Sequence, residues 1–158
     1  MRVKVSAEVP WERQKARKLE RFLRRLMRKM SLGGGLELSV LLVEEERIRE
    51  LNRMYLGRGE ETDVLAFPQL VEDELTDAGR INRGCPEPLG DIVICLPVAK
   101  KQAEESGITE KEEIDLLAVH GLLHLIGYDH ETDDEVDRMR EMETGLLGRS
   151  IYTKTERE

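Results

Sequence analysis

Apolar residues recur along the chain with a period of two in some stretches and near 3.6 in others, and the changes between the two mark the elements. Residues 2–7 set Val3, Val5 and Ala7 between charged or polar neighbours, the pattern of a short half-buried strand. Pro10 suits the first turn of a helix. Beyond it Leu19, Phe22, Leu23, Leu26, Met27 and Met30 recur at helical spacing, with Arg13, Arg17, Arg21, Arg24, Arg25 and Arg28 on the other side. Gly33-Gly34-Gly35 ends this amphipathic, basic helix. Leu36–Val43 is apolar enough to predict a strand buried on both faces. Glu44, Glu45 and Glu46 then bring negative charge to a helix N-terminus, and Ile48, Leu51 and Met54 or Tyr55 carry its inner face. A charged, glycine-containing loop at 57–61 leads into Thr62–Pro68, whose apolar part is a short strand stopped by proline.

Residues 69–88 are acidic, contain two glycines and show no period. They read as a surface loop with room for one edge strand near 80–82. Leu89–Leu96 is a strand, and Pro97 opens a helix to about Ser106. Thr109-Glu110-Lys111-Glu112 has the form of a capping box. It starts a helix whose apolar stripe is Ile114, Leu117, Ala118, Leu122 and Leu125. A second box, Thr132-Asp133-Asp134-Glu135, starts the last helix, with Val136, Met139, Leu146 and Leu147 facing inward. The tail after Ile151 is charged and reads as frayed. Four strands and about five helices, not in strict alternation, predict one α+β domain over residues 1–158 with a single small sheet.

Charge changes this picture. Residues 1–35 hold 11 Lys/Arg against 3 acids, a charge of +8, and the remainder holds 14 against 30, a charge of −16. A basic end joined to an acidic body predicts an anionic partner met by one face. Charged residues make up 37% of the chain, a weak sign of a heat-adapted source. The opening Met1-Arg2-Val3-Lys4-Val5 alternates instead of running apolar, so neither a signal peptide nor a membrane span is expected, and the expected compartment is the cytoplasm. Cys85 and Cys95 form no C-x-x-C pair and read as free thiols.

The candidate chemistry is concentrated in one run. All three histidines lie in His120-Gly121-Leu122-Leu123-His124-Leu125-Ile126-Gly127-Tyr128-Asp129-His130. A gap of four places His120 and His124 on one helix face, so both imidazoles can reach one ion. Gly127 supplies the turn that ends the helix, which makes His130 the natural third ligand. Three imidazoles and an open position describe a catalytic zinc site, where bound water acquires a pKa of about 7. The run has the ligand spacing of the metzincin proteases, H-x-x-x-H-x-x-G-x-x-H, but Gly121 stands where those enzymes need a Glu as general base. Asp129 either orients a ligand imidazole, accepts a proton or serves as a turn residue.

Three runs together resemble the YbeY family of bacterial rRNA-maturation endoribonucleases: His120 to His130, Thr62-Asp63-Val64-Leu65-Ala66-Phe67-Pro68, and Leu89-Gly90-Asp91-Ile92-Val93-Ile94. The resemblance spans about residues 36–148 and implies a zinc-dependent, single-strand-specific endoribonuclease. It would act in the cytoplasm on ribosomal RNA precursors, notably at the small-subunit 3′ end, and in ribosome quality control. The implied partners are rRNA, the ribosome and ribosome-associated proteins. The implied fold is a mixed four-stranded sheet flanked by helices, similar to a metalloprotease core, with His120, His124 and His130 as metal ligands. Two departures stand out: Leu56 follows Tyr55 where the family has an arginine, leaving Arg58 as the substitute for a phosphate contact, and Ala66 stands where the family often has serine.

The acidic body surrounds the histidines in sequence, whereas an RNA track should be basic. The expected track is therefore the arginine face of residues 13–29, with Arg21, Arg24 and Arg25 as its centre. Two other readings stay open: a zinc protease lacking its usual Glu, and a non-catalytic ribosome-assembly factor with a structural zinc. Nickel or cobalt would also suit the ligand set.

Overall fold

The computed structural model describes residues 2–32, 35–57, 59, 62–69, 87–128 and 132–147. Its strands are β1 (Arg2–Ala7), β2 (Leu36–Val43), β3 (Val64–Pro68) and β4 (Glu87–Cys95). The helices among the described residues are α1 (Arg13–Lys29), α2 (Glu45–Leu56), α3 (Leu96–Ser106), α4 (Glu110–Leu125) and α5 (Asp133–Leu147). The strands form one mixed sheet in the order β1-β2-β4-β3. β1, β2 and β4 are parallel, and β3 runs antiparallel to β4 along one edge. This is the expected α+β architecture of four strands and five helices. The edge strand expected near 80–82, Cys85 and the charged tail after Ile151 lie outside the described residues.

One face of the sheet carries the main core. Leu36, Leu38, Val40 and Leu42 of β2 meet Val3 and Val5 of β1 and Ile92 and Ile94 of β4 beneath α1 and α4. A bulge keeps β4 in phase: Glu37 pairs with Pro88 but Leu38 pairs with Gly90, so the extra residue, Leu89, also turns into this core. The edge strand β1 is tied to α1 where the Val5 N–H donates to Glu20 Oε2 at 2.9 Å, removing one open donor from the sheet edge.

The other face is only half covered, which corrects the expectation that β2 is buried on both sides. α2 packs Ile48 over Val43, Leu65, Val93 and Cys95, at the end where β2 and β4 finish. Toward the other end, Ser39, Leu41 and Asp91 line an open cavity of about 520 Å³ with Tyr55 and Phe67. A single short helix cannot cover both ends of the sheet. Nor does α2 bury its own last turn: Met54, Tyr55 and Leu56 are each more than half exposed, and Asn52 takes the inward position expected of Met54 or Tyr55. α1 begins at Arg13 with Glu12 as N-cap, so Pro10 precedes the helix instead of opening it.

α4 is enclosed on nearly every side, more than a single apolar stripe predicts: Leu116, Val119 and Leu123 are buried along with Ile114, Leu117, Ala118, Leu122 and Leu125. It lies against β3 and β4 and is flanked by α1, α3 and α5. Close approach depends on two glycines. A Cβ at Gly121 would sit 2.8 Å from Ile92 Cγ2, and one at Gly90 would sit 2.6 Å from the Phe67 carbonyl oxygen and 2.7 Å from Leu125 Cδ2. Ile92 is fully buried and β-branched, so it cannot swing aside.

Candidate metal centre

The threonine caps of both expected boxes form, each hydroxyl also reaching the Glu three residues on. The Glu112 N–H donates to Thr109 Oγ1 at 3.1 Å, and the Glu135 N–H donates to Thr132 Oγ1 at 3.2 Å. They fix the starts of α4 and α5. At the far end of α4, the Tyr128 N–H donates to the Leu123 carbonyl at 3.0 Å and the Gly127 N–H to the His124 carbonyl at 3.2 Å, with Gly127 at φ +105°. These bonds close a Schellman-type turn, which reverses the chain sharply just after His124.

His120 and His124 therefore sit one turn apart at the end of a rigid helix. Their rings meet edge to face, with centroids 4.8 Å apart and planes at 77°. The two Nε2 atoms face each other at 3.2 Å. On the other side of the first ring, His120 Nδ1 lies 2.6 Å from Glu143 Oε1, and Glu143 is fully buried on α5. A carboxylate at this distance pairs with Nδ1 and leaves Nε2 as the His120 nitrogen that faces His124.

Two imidazole nitrogens at this separation are joined either by an N–H···N hydrogen bond or, when both offer lone pairs, by a cation between them. Ligands at 2.0–2.1 Å around a tetrahedral ion stand about 3.3–3.4 Å apart, close to the spacing found here. The pair and its carboxylate thus fit two ligands and their supporting acid in a zinc site. No group of three metal-binding side chains converges among the described residues. His130, the expected third ligand, lies outside them, as do Asp129 and Arg58.

The arginine face lies on α1 as expected, with Arg21 and Arg25 exposed and Arg24 half-buried. The end of that helix approaches the site, since Lys29 Nζ reaches the Gly145 carbonyl at 3.5 Å, two residues beyond Glu143. Glu143 is the residue the hydrophobic pattern passes over. Its one sequence signal is position: four residues after Met139 and three before Leu146, it puts a charge on the inward stripe of α5.

Fold and site together define a class: small α+β proteins in which one buried helix presents a histidine pair beside a mixed sheet, backed by a carboxylate from the following helix. Within that class this chain belongs to the YbeY family, since the family model for Endoribonuclease YbeY matches residues 4–150. It is 47% identical over 102 residues to Endoribonuclease YbeY of Sulfurihydrogenibium sp., covering 65% of this chain and 61% of that relative. It is 42% identical over 136 residues to the protein of the same name from Geobacillus thermodenitrificans, covering 86% of each. Among solved structures, the solution structure of TM1509 from Thermotoga maritima superposes with a TM-score of 0.59 at 26% identity, covering 92% of this chain and 89% of that one.

Proposed function

We propose that the protein is a zinc-dependent endoribonuclease that cuts single-stranded ribosomal RNA precursors, at the small-subunit 3′ end among other places, and takes part in ribosome quality control in the cytoplasm. The observation that carries this reading is the pair of Nε2 atoms at 3.2 Å with Glu143 holding the outer nitrogen of His120. The name shared by its relatives supports RNA as the substrate. No helix among the described residues is long and apolar enough to cross a membrane.

His120, His124 and His130 would hold the ion. When bound, zinc supplies a Lewis acid for the phosphate and an activated water. Glu143 keeps the His120 ring in one orientation. Asp129 would orient a ligand imidazole or accept a proton, and Arg58 would meet the phosphate. The ribosome and its associated proteins would present the substrate. The test is cleavage of a single-stranded rRNA-precursor fragment, with the duplex form and casein as controls. Cutting of the single strand alone is expected, and metal-dependent proteolysis without RNA cleavage would overturn the reading. The protease alternative lacks its usual general base, since residue 121 is a glycine packed against Ile92.

The basic face of α1 supplies the track for the RNA backbone. Changing Arg21, Arg24 and Arg25 together to Glu is expected to weaken binding of single-stranded rRNA and flatten its dependence on salt, by about 0.7 in log–log slope for each phosphate no longer neutralised. Fluorescence polarisation across a salt series measures both quantities. An unchanged affinity and slope would mean that the face is only solvated.

A further inference from the structure

At the other end of α1 and α4, away from the histidines, Trp11, Lys15, Lys18, Leu19 and Ile114 line a cavity of about 280 Å³. Beside an enclosed indole nitrogen, two observations there point to a ligand: the apolar wall and the unmatched lysines. The indole Nε1 of Trp11 is enclosed and has no hydrogen-bond partner among the described residues. Buried donors are rarely left this way, and each such case asks for an explanation. The walls are otherwise mostly apolar. The charges at the rim are unevenly matched: Lys111 is occupied by Asp115 at 2.7 Å, whereas Lys15 and Lys18 have no acidic partner among the described residues and only Glu110 opposes them.

The cavity is also continuous with the basic track. Lys15, Lys18, Arg21, Arg25 and Arg28 follow one another at steps of three and four along α1, forming one ridge that starts at the cavity and ends near α5. Along α4, Ile114 lies six residues before His120 and ten before His124, about 9 and 15 Å at the rise of an α-helix. A strand lying on the ridge would therefore reach the cavity a short way from the point of cleavage.

We propose that this cavity is an anchoring subsite for one nucleotide of single-stranded RNA, with the base against the Trp11 indole and the apolar wall, and the backbone phosphate at Lys15 and Lys18. Stacking on an aromatic ring tolerates any base, so the subsite sets the length of strand the enzyme needs and not its sequence. The proposal rests on the endoribonuclease reading for the identity of its ligand.

Trp11 is the only tryptophan in the chain, so its fluorescence reports occupancy directly. The full-length protein is titrated with a single-stranded 2′-O-methyl RNA, with inorganic phosphate, with an acidic peptide and with anionic lipid vesicles. Quenching by the RNA alone is expected. Changing Lys15 and Lys18 to Glu should weaken that response about tenfold with no change in melting temperature. Trp11→Leu, which removes the aromatic face but keeps an apolar side chain, should raise KM for long strands more than for short ones. RNA that binds by polarisation without altering Trp11 emission would overturn the subsite, as would quenching by the peptide or vesicles instead of RNA. Quenching by RNA in a protein that cuts none would support the subsite and count against the endoribonuclease reading. Cleavage with a silent Trp11 would do the reverse.

Discussion

Changing His124 to alanine is expected to abolish metal-dependent cleavage of single-stranded RNA while leaving the protein folded. The side chain is only partly buried and its ring meets His120 across the site, so its loss would remove a proposed ligand without opening the core. If the ion contributes about 4 kcal/mol to stabilising charge on the reacting phosphate, the rate falls about a thousandfold. Stripping the metal with a chelator should produce the same fall in the parent protein, and adding zinc back should restore activity to the parent but not to the variant. His120→Ala should lose activity equally but also lose stability. It removes the 2.6 Å partner of Glu143, a fully buried carboxylate, at a cost of about 1–3 kcal/mol. In a chain of 158 residues that lowers the melting temperature by about 2–4 °C per kcal/mol. Cleavage and metal content are measured by gel assay and elemental analysis, and unfolding by calorimetry. If His124→Ala unfolds while the parent cuts no RNA, the ion is structural. If His124→Ala keeps both a full complement of metal and full activity, the imidazole pair is not the centre.

Glu143 carries the second large effect. Its carboxylate sits behind His120 at 2.6 Å and fixes the orientation of the ring. Glu143→Gln keeps the volume and an accepting oxygen but deletes the charge, and metal affinity should fall about 10- to 100-fold. Glu143→Ala should fall further, because the ring is then free to rotate and a void opens beneath it. Competition against a chromophoric chelator measures these affinities. A double-mutant cycle with His120→Ala checks the route, since residues acting through one another are not additive. Equal metal affinity in the parent and both Glu143 variants would reduce the carboxylate to a packing role.

Much of this site could be read before the fold. The four-residue gap between His120 and His124 is itself a statement about one helix face, and Gly127 stands where a Schellman turn needs a residue tolerant of positive φ. The two capping boxes named their helix starts for the same reason: a cap is a bond between residues three apart, complete within its own segment. What local pattern missed depends on neighbours distant in the chain. Glu143 gains its meaning from a ring 23 positions earlier. Met54 and Tyr55 have the spacing of an inner face, yet both stay more than half exposed, although the Tyr55 ring meets Phe67 of β3 edge to face.

The same division runs through the whole protein. The residue order alone determined the kinds of elements, the places where most of them start, the histidine pair and the basic face of α1, because each depends on interactions within a few residues. Only the tertiary structure decided that β2 has one half-open face, that α4 is enclosed on nearly every side, that position 121 must be glycine and that a carboxylate stands behind His120. Those depend on which surfaces meet, and close packing resolves that at the scale of a single methyl group.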